Sequence, residues 1–379
     1  MPHNPDFTAL VPPGVRGLLP YVPGMPMGEL KRRHGLGRVI KLASNENPLG
    51  PAPASLAALG AGLGDLARYP DGAAYELKQG LAAHLGVEPS CLTVGNGSNE
   101  ILSIIAETFL GPDDEAVHAD HAFLVYALAI QATGARARVA PANGPDREQP
   151  FGHSLGALAG HVGQRTRLVF IANPNNPTGT WLEPGPLREF IASLPPQVLV
   201  VLDEAYLEYM PDSAHCNSLA WLPSHPNLIV CRTFSKMHGL AGLRVGYAVS
   251  HPDLAELLNR VRQPFNVNAL GQVAALAALG DKGHVARSLQ ANAQGMALLR
   301  PGLEALGWTV PPSAGNFLLA DTGGPAGPWY DGLLRKGIIV RPVANYGLPR
   351  HLRITIGLPD ENAALLEALA ELHQTGVVV

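Results

Sequence analysis

Through the middle of the chain, short apolar runs alternate with stretches whose apolar residues recur at helical spacing. The runs "CLTV" (91–94), "RLVFIA" (167–172), "QVLVVLD" (197–203) and "NLIV" (227–230) are brief, β-branched and bounded by turn formers, which predicts buried strands. Segments between them, such as "NEILSIIAETFL" (99–110), predict helices. Such alternation predicts an α/β fold, a mostly parallel central sheet with helices on both faces. Past about residue 265 the pattern changes. An Ala/Leu-rich helical stretch over 268–306 leads to "NFLLA", "GIIVRPV" and "LRITIG", then to a last helix over 360–375. That is the pattern of a smaller α+β unit. The first forty residues are rich in Pro and Gly ("VPPGVRGLLPYVPGMP") and read as an arm laid over another part of the molecule. The expected division is an N-terminal arm over 1–40, a large domain over 41–265 and a small C-terminal domain over 266–379.

Composition narrows the classes of function. Hydrophobic residues make up 46% of the 379 and charged residues 15%, enough for a sizeable core. A net charge of −4 gives no electrostatic footprint for nucleic acid, and "KRRH" at 31–34 is too short for a basic tail. Cys91, Cys216 and Cys231 are scattered without CxxC spacing, and the fourteen histidines show no HExxH, so neither a disulfide framework nor a metal site is expected. The start "MPHNPDFTAL" has no basic-then-apolar leader, and no apolar run approaches the ~20 residues that span a bilayer. A cytoplasmic protein with no membrane partner is the expectation.

Four features fall at strand ends or helix starts, where open α/β sheets bind ligands. In "TVGNGSNEIL" a strand and a glycine turn precede a helix beginning near Ser98, a ready phosphate site if its N–H groups are open. An ordinary helix capped by Ser98 or Asn99 would read the same way. "NPNNPTG" (173–179) follows a strand directly, and turn chemistry alone could account for it. Asp203 ends a strand too apolar to be other than buried, so its carboxylate needs a cation, while Glu204 should face the other way. The fourth feature is "RTFSKMHGLAGLRVGY" (232–247), with Lys236 close after a strand and Arg244 eight residues on. A lysine placed there can be a nucleophile with a depressed pKa. Together these groups suit a cationic aromatic ring with a phosphate tail and an aldehyde, which is pyridoxal phosphate.

In that order and spacing, "NPNNPTG", "DEAYLEY" and "RTFSKMHGLAGLRVGY" resemble the fold-type I, class II pyridoxal-phosphate aminotransferases. "LASNENPLGP" (42–51), "RYPDGAAYELK" (68–78), "GNGSNEIL" (95–102) and "VRPVANYGLPRHLRITIGLPDEN" (340–362) extend the likeness to the histidinol-phosphate aminotransferases, from about Tyr21 to Asn362. The resemblance implies Lys236 as the Schiff-base lysine, Asp203 as partner of the pyridine nitrogen, and Asn176 with Tyr206 as partners of the ring hydroxyl. It implies Ser98, Asn99, Thr233, Ser235 and Arg244 as a phosphate cup, and Tyr126 as the aromatic stacked on the ring. It further implies a homodimer in which Tyr69 reaches the phosphate of the other subunit's cofactor. Arg353, with Arg341 and Tyr21, is implied to bind substrate.

The implied reaction is a ping-pong exchange of the amino group between histidinol phosphate and 2-oxoglutarate in histidine biosynthesis. Two positions depart from the usual pattern: Met237-His238 stands where Ala-Phe often follows the lysine, and Asn99 where Asp is common. Neither removes a group the chemistry needs. An aromatic amino acid aminotransferase of the same fold, and a non-catalytic cofactor-binding regulatory module, remain as alternatives.

Overall fold

Both faces of the central strands are apolar, and their alternation shows why. Val169, Ile171, Val200, Leu202, Leu228 and Val230 enter one core layer, with Leu77 and Leu81 of the helix Tyr75–Leu85 and Leu187 and Ile191 of Pro184–Ser193. Leu168, Phe170, Val201, Ile229 and Cys231 enter the opposite layer, against Ser98–Phe109 and Val125–Ala132. Successive strand side chains point to opposite faces, so a strand covered on both sides reads as an unbroken apolar run.

The computed structural model describes residues 6–20, 23–374 and 376. Among the described residues, seven strands form one sheet in the order Leu92–Gly95, Gly246–Ser250, Leu228–Thr233, Leu199–Asp203, Thr166–Ala172, Glu115–Ala119 and Arg136–Ala140. Gly246–Ser250 is antiparallel to both of its neighbours, and the other pairings are parallel. The α/β fold with a mostly parallel sheet is as the sequence leads one to expect. Register sets Ala172 beside Asp203 and Asp203 beside Cys231. Three neighbouring strands therefore end at one edge, and the loops that follow them meet there.

A smaller antiparallel sheet joins Arg341–Val343, Leu348–Thr355 and Phe317–Asp321. Its own core includes Leu299, Trp308, Leu318, Trp329, Ile354 and Leu369. The stretch 268–306 is two helices, Ala269–Ala278 and Lys282–Glu304. Asp281 starts the second by accepting the His284 amide at 2.8 Å, a side-chain cap. Within the first forty residues, Met27–His34 buries Leu30 against Val39 and Ile339. The following strand Ile40–Lys41 pairs in parallel with Ile338–Ile339, carrying the chain toward the sheet edge.

Glycine is required where the sheet meets the helix at Ser98. A Cβ on Gly246 would lie 2.4 Å from the Ser98 nitrogen and 2.6 Å from the Gly97 carbonyl carbon, both backbone atoms. Gly246→Ala should destabilise the fold by about 1–3 kcal/mol, the usual cost of overpacking. Chemical denaturation reads this as a lower midpoint; an unchanged midpoint would contradict the close approach.

Candidate active site

A cavity of about 340 Å³ lies where the loops after the central strands face the small sheet. Asp203, the last residue of its strand, is 4% exposed at the cavity wall. Its Oδ2 accepts from the Tyr126 hydroxyl at 2.8 Å and its Oδ1 from the Ala205 amide at 3.2 Å. Burial pushes its carboxyl up to about 6; those two hydrogen bonds and the Lys236 charge oppose the shift. Glu204 takes the other face, where its Oε2 lies 2.8 Å from a guanidinium nitrogen of Arg232.

Lys236 follows the neighbouring strand and also lines the cavity. Its Nζ donates to the Ser44 carbonyl at 2.9 Å. Burial, then the guanidinium groups of Arg353 and Arg244, bring its amine down to about 7, while Glu46 acts in the opposite sense. An amine with that pKa carries a lone pair at neutral pH, which a surface lysine does not.

Asn176, Tyr206 and Arg353 form one connected set. Arg353 Nη1 donates to Asn176 Oδ1 and Nη2 to the Ala43 carbonyl, each at 2.5 Å. Its Nε is buried with no hydrogen-bond partner among the described residues. The Tyr206 hydroxyl accepts from Asn45 Nδ2 at 2.9 Å, and burial pushes its pKa up to about 12. Asn176 is left with its amide N–H groups and Tyr206 with its O–H proton to offer a ligand. Arg341 stands directly across the small sheet from Arg353 and also lines the cavity. Two guanidinium-bearing residues thus line one cavity, which favours an anionic occupant.

At the other end of the cavity the helix Ser98–Phe109 begins. Gly97, with φ 82°, holds the cap position without a side-chain cap, so Ser98 and Asn99 are the first two helical residues. Their N–H groups therefore stay open to an anion. Arg244, at φ 56°, lays its guanidinium over Gly97, where a Cβ would come within 2.3 Å of Nη2. Its Nη2 donates to the Asn96 carbonyl at 3.2 Å. Thr233 and Ser235, joined hydroxyl to hydroxyl at 3.0 Å, complete a cup of donors.

The sequence profile described as aminotransferase class I and II matches residues 37–369. The chain belongs to this aminotransferase family. A protein of Pseudomonas fluorescens named histidinol-phosphate aminotransferase 2 is 52% identical over 373 residues, 98% of this chain and 99% of that one. One of the same name from Methylococcus capsulatus is 52% identical, covering 96% and 98%. The crystal structure of histidinol-phosphate aminotransferase from Sinorhizobium meliloti, in complex with pyridoxal-5'-phosphate, superposes with a TM-score of 0.87 at 31% identity, covering 96% and 97%.

In this aminotransferase the cavity gathers Ser98, Asn99, Asn176, Asp203, Tyr206 and Thr233. Ser235, Lys236, Arg244, Arg341 and Arg353 line it too. Tyr126 does not take the place that the resemblance gave it. It is fully buried behind Asp203, its ring stacked on Phe170 at 5.1 Å, while Phe123, three residues earlier, reaches the cavity wall. The helix Val125–Ala132 explains the exchange: Phe123 precedes it, and Tyr126 lies inside its first turn on the core side. Tyr69 lies outside the cavity, 84% exposed and stacked on Phe265 at 4.9 Å. Tyr21 falls outside the described residues. Ser44, Asn45, Glu46 and Phe123 are site residues that sequence reasoning passed over; the polar cluster "SNEN" at 44–47, directly after an apolar stretch, is the signal that marks three of them.

Two predictions follow from this geometry. Tyr126→Phe deprives Asp203 of a donor that lowers its pKa, so the acid limb of the rate profile should move to higher pH. kcat/KM should fall by roughly 1.5–3 kcal/mol, the worth of a hydrogen bond to a charged group; steady-state kinetics against pH check both. The second concerns Lys236 in the ligand-free protein. With a folded pKa of about 7, the folded state holds fewer protons than the unfolded chain between pH 7 and the ordinary lysine range, so stability rises with pH across that window. Lys236→Met should therefore raise the melting temperature most at pH 6 and progressively less toward pH 10. A constant offset would contradict the buried charge.

Proposed function

We propose that this aminotransferase carries pyridoxal phosphate on Lys236 and transfers the amino group of histidinol phosphate to 2-oxoglutarate. The products are imidazole-acetol phosphate and glutamate, and the reaction runs in either direction. The residues present fit the cofactor. An amine near neutrality, a buried carboxylate, two hydroxyl partners and an open helix N-terminus flanked by Arg244 surround one cavity. When bound, the cofactor supplies an aldehyde for amine exchange and a ring that draws off the electron pair of a breaking C–H bond.

The protein's own groups do the rest. Asp203 would pair with the ring nitrogen and hold a proton there. Asn176 Nδ2 and the Tyr206 hydroxyl would hold the ring oxygen, and Phe123 at the cavity wall would pack against the ring. Ser98, Asn99, Thr233, Ser235 and Arg244 bind the cofactor's phosphate. Lys236 Nζ would take the proton from the substrate carbon and deliver it to the carbon that was the cofactor's aldehyde, which leaves the amino group on the cofactor.

The observation that carries the substrate reading is the cross-strand pair Arg341–Arg353 in the cavity wall, with the buried Arg353 Nε lacking a hydrogen-bond partner among the described residues. A phosphate ester or a carboxylate satisfies a guanidinium fork, and the pair suits a dianion. The names of the relatives favour the same substrate. We further propose a cytoplasmic homodimer in which the exposed Tyr69 reaches the partner's cofactor phosphate. The chain would divide into an arm (1–40), a cofactor-binding domain (41–265) and a small domain (266–379).

The wild-type enzyme should prefer histidinol phosphate to unphosphorylated histidinol by ~100-fold or more in kcat/KM, because a site built around buried donors rejects a ligand that leaves them unpaired. Equal values for the two alcohols, or a preference for phenylalanine, would overturn the reading.

A further inference from the structure

One ion pair, with one member in the cavity wall, is used by none of these roles. Lys41 closes the short strand Ile40–Lys41, and its Nζ lies 2.5 Å from Glu46 Oε1. Glu46 lines the cavity; apart from Asp203 it is the only acidic residue among the described lining residues. The segment between the two is fixed in place. The Ala43 and Ser44 carbonyls accept from Arg353 and Lys236, and Asn45, at φ 55°, is tied to Thr355 and Tyr206. That left-handed residue turns the chain so that Glu46 meets Lys41 again. The two side chains are 28% and 39% exposed, so their ends stay free to move while the backbone does not. Both charges are felt at Lys236.

The proposed reaction sets a demand that one fixed charge cannot meet. The two amino partners share an oxyanion near the reacting carbon and differ at the far end. One ends in an imidazole, an N–H donor that is cationic below about pH 6.5; the other ends in a carboxylate. A lone lysine would repel the first, and a lone glutamate would repel the second.

We propose that Lys41 and Glu46 together set the dual specificity of the site. Glu46 accepts the imidazole N–H when histidinol phosphate is bound, and Lys41 turns from Glu46 to the distal carboxylate when glutamate or 2-oxoglutarate is bound. The pair thus offers an acceptor or a cation as the occupant requires, without rearrangement of the floor beneath it. This assignment rests on the substrate pair proposed above.

The test is to measure the two half-reactions separately in cofactor-loaded enzyme, from the absorbance change of the bound cofactor, with histidinol phosphate and with glutamate. Glu46→Gln should lower kcat/KM for histidinol phosphate about tenfold, the loss expected for a charged hydrogen bond, and raise it for glutamate. Lys41→Gln should lower it about tenfold for glutamate and spare histidinol phosphate. The losses should appear in the half-saturating concentration rather than in the limiting rate, which a merely structural role would not single out. Equal losses in both half-reactions, or no loss in either variant, overturn the proposal. The wild type's preference for histidinol phosphate over histidinol is read in the same series. If that preference is missing, the substrate reading fails; if it stands while the variants show no opposite signs, only the ion-pair assignment fails.

Discussion

Two backbone carbonyls, those of Ala43 and Ser44, accept from the buried Arg353 guanidinium and the Lys236 amine at the cavity. Cations removed from water are costly unless their donors are satisfied. Placing acceptors on adjacent residues of one strand-end segment offsets that cost without adding negative charge. The same segment joins the two sheets. Asn45 exchanges hydrogen bonds with Thr355 at 2.9 and 3.0 Å and takes the Asn316 amide at 3.1 Å on its carbonyl, while its side chain reaches Tyr206 on the large-sheet side. The position of Arg353 relative to Lys236 is therefore set by a few peptide groups.

The cavity is cationic by construction. Arg353, Arg244 and Lys41 all lower the Lys236 pKa, and Glu46 opposes them. Asp203 stands at the cavity wall at the end of its strand, and its immediate neighbour Glu204 is turned through the sheet to Arg232. Strand alternation separates two adjacent carboxylates by the thickness of the backbone, so that one serves the cavity and the other a buried ion pair. The result is a pocket that attracts anions and still keeps one carboxylate where a cationic ring would lie.

Much of this was legible in the chain. The strands ending at Ala172, Asp203 and Thr233 are apolar on both faces, so their runs stand out, and the chemistry-bearing residues follow at once. Glu115–Ala119 and Arg136–Ala140 escaped notice because Glu115 and His118, then Arg136 and Arg138, interrupt the pattern. Gly246–Ser250 escaped because it follows the lysine loop so closely, an antiparallel insertion in a parallel sheet. The exchange of Tyr126 for Phe123 has a different origin. Both aromatics stand within one turn, and which one faces the cavity depends on where the helix begins, a boundary set by packing on Phe170 rather than by local pattern. The roles of Ser44 and Asn45 are invisible in sequence for a further reason: Ser44 acts through a carbonyl, and Asn45 through partners about 160 and 310 residues away.

The pairing of Arg341 with Arg353 has one more property. After Pro342 the register jumps, so that Val343 stands opposite Leu348 rather than continuing the ladder. The irregularity lies on the hairpin side of the arginine pair, between it and the turn at Ala344–Tyr346. An extra or missing residue in that turn is taken up beyond the bulge, and the alignment of the two guanidinium groups is preserved. The tip of the small sheet is thus mechanically decoupled from the end that carries the two arginines, which makes it the place where loop length can be altered, as by grafting, with the arginine pair held in register.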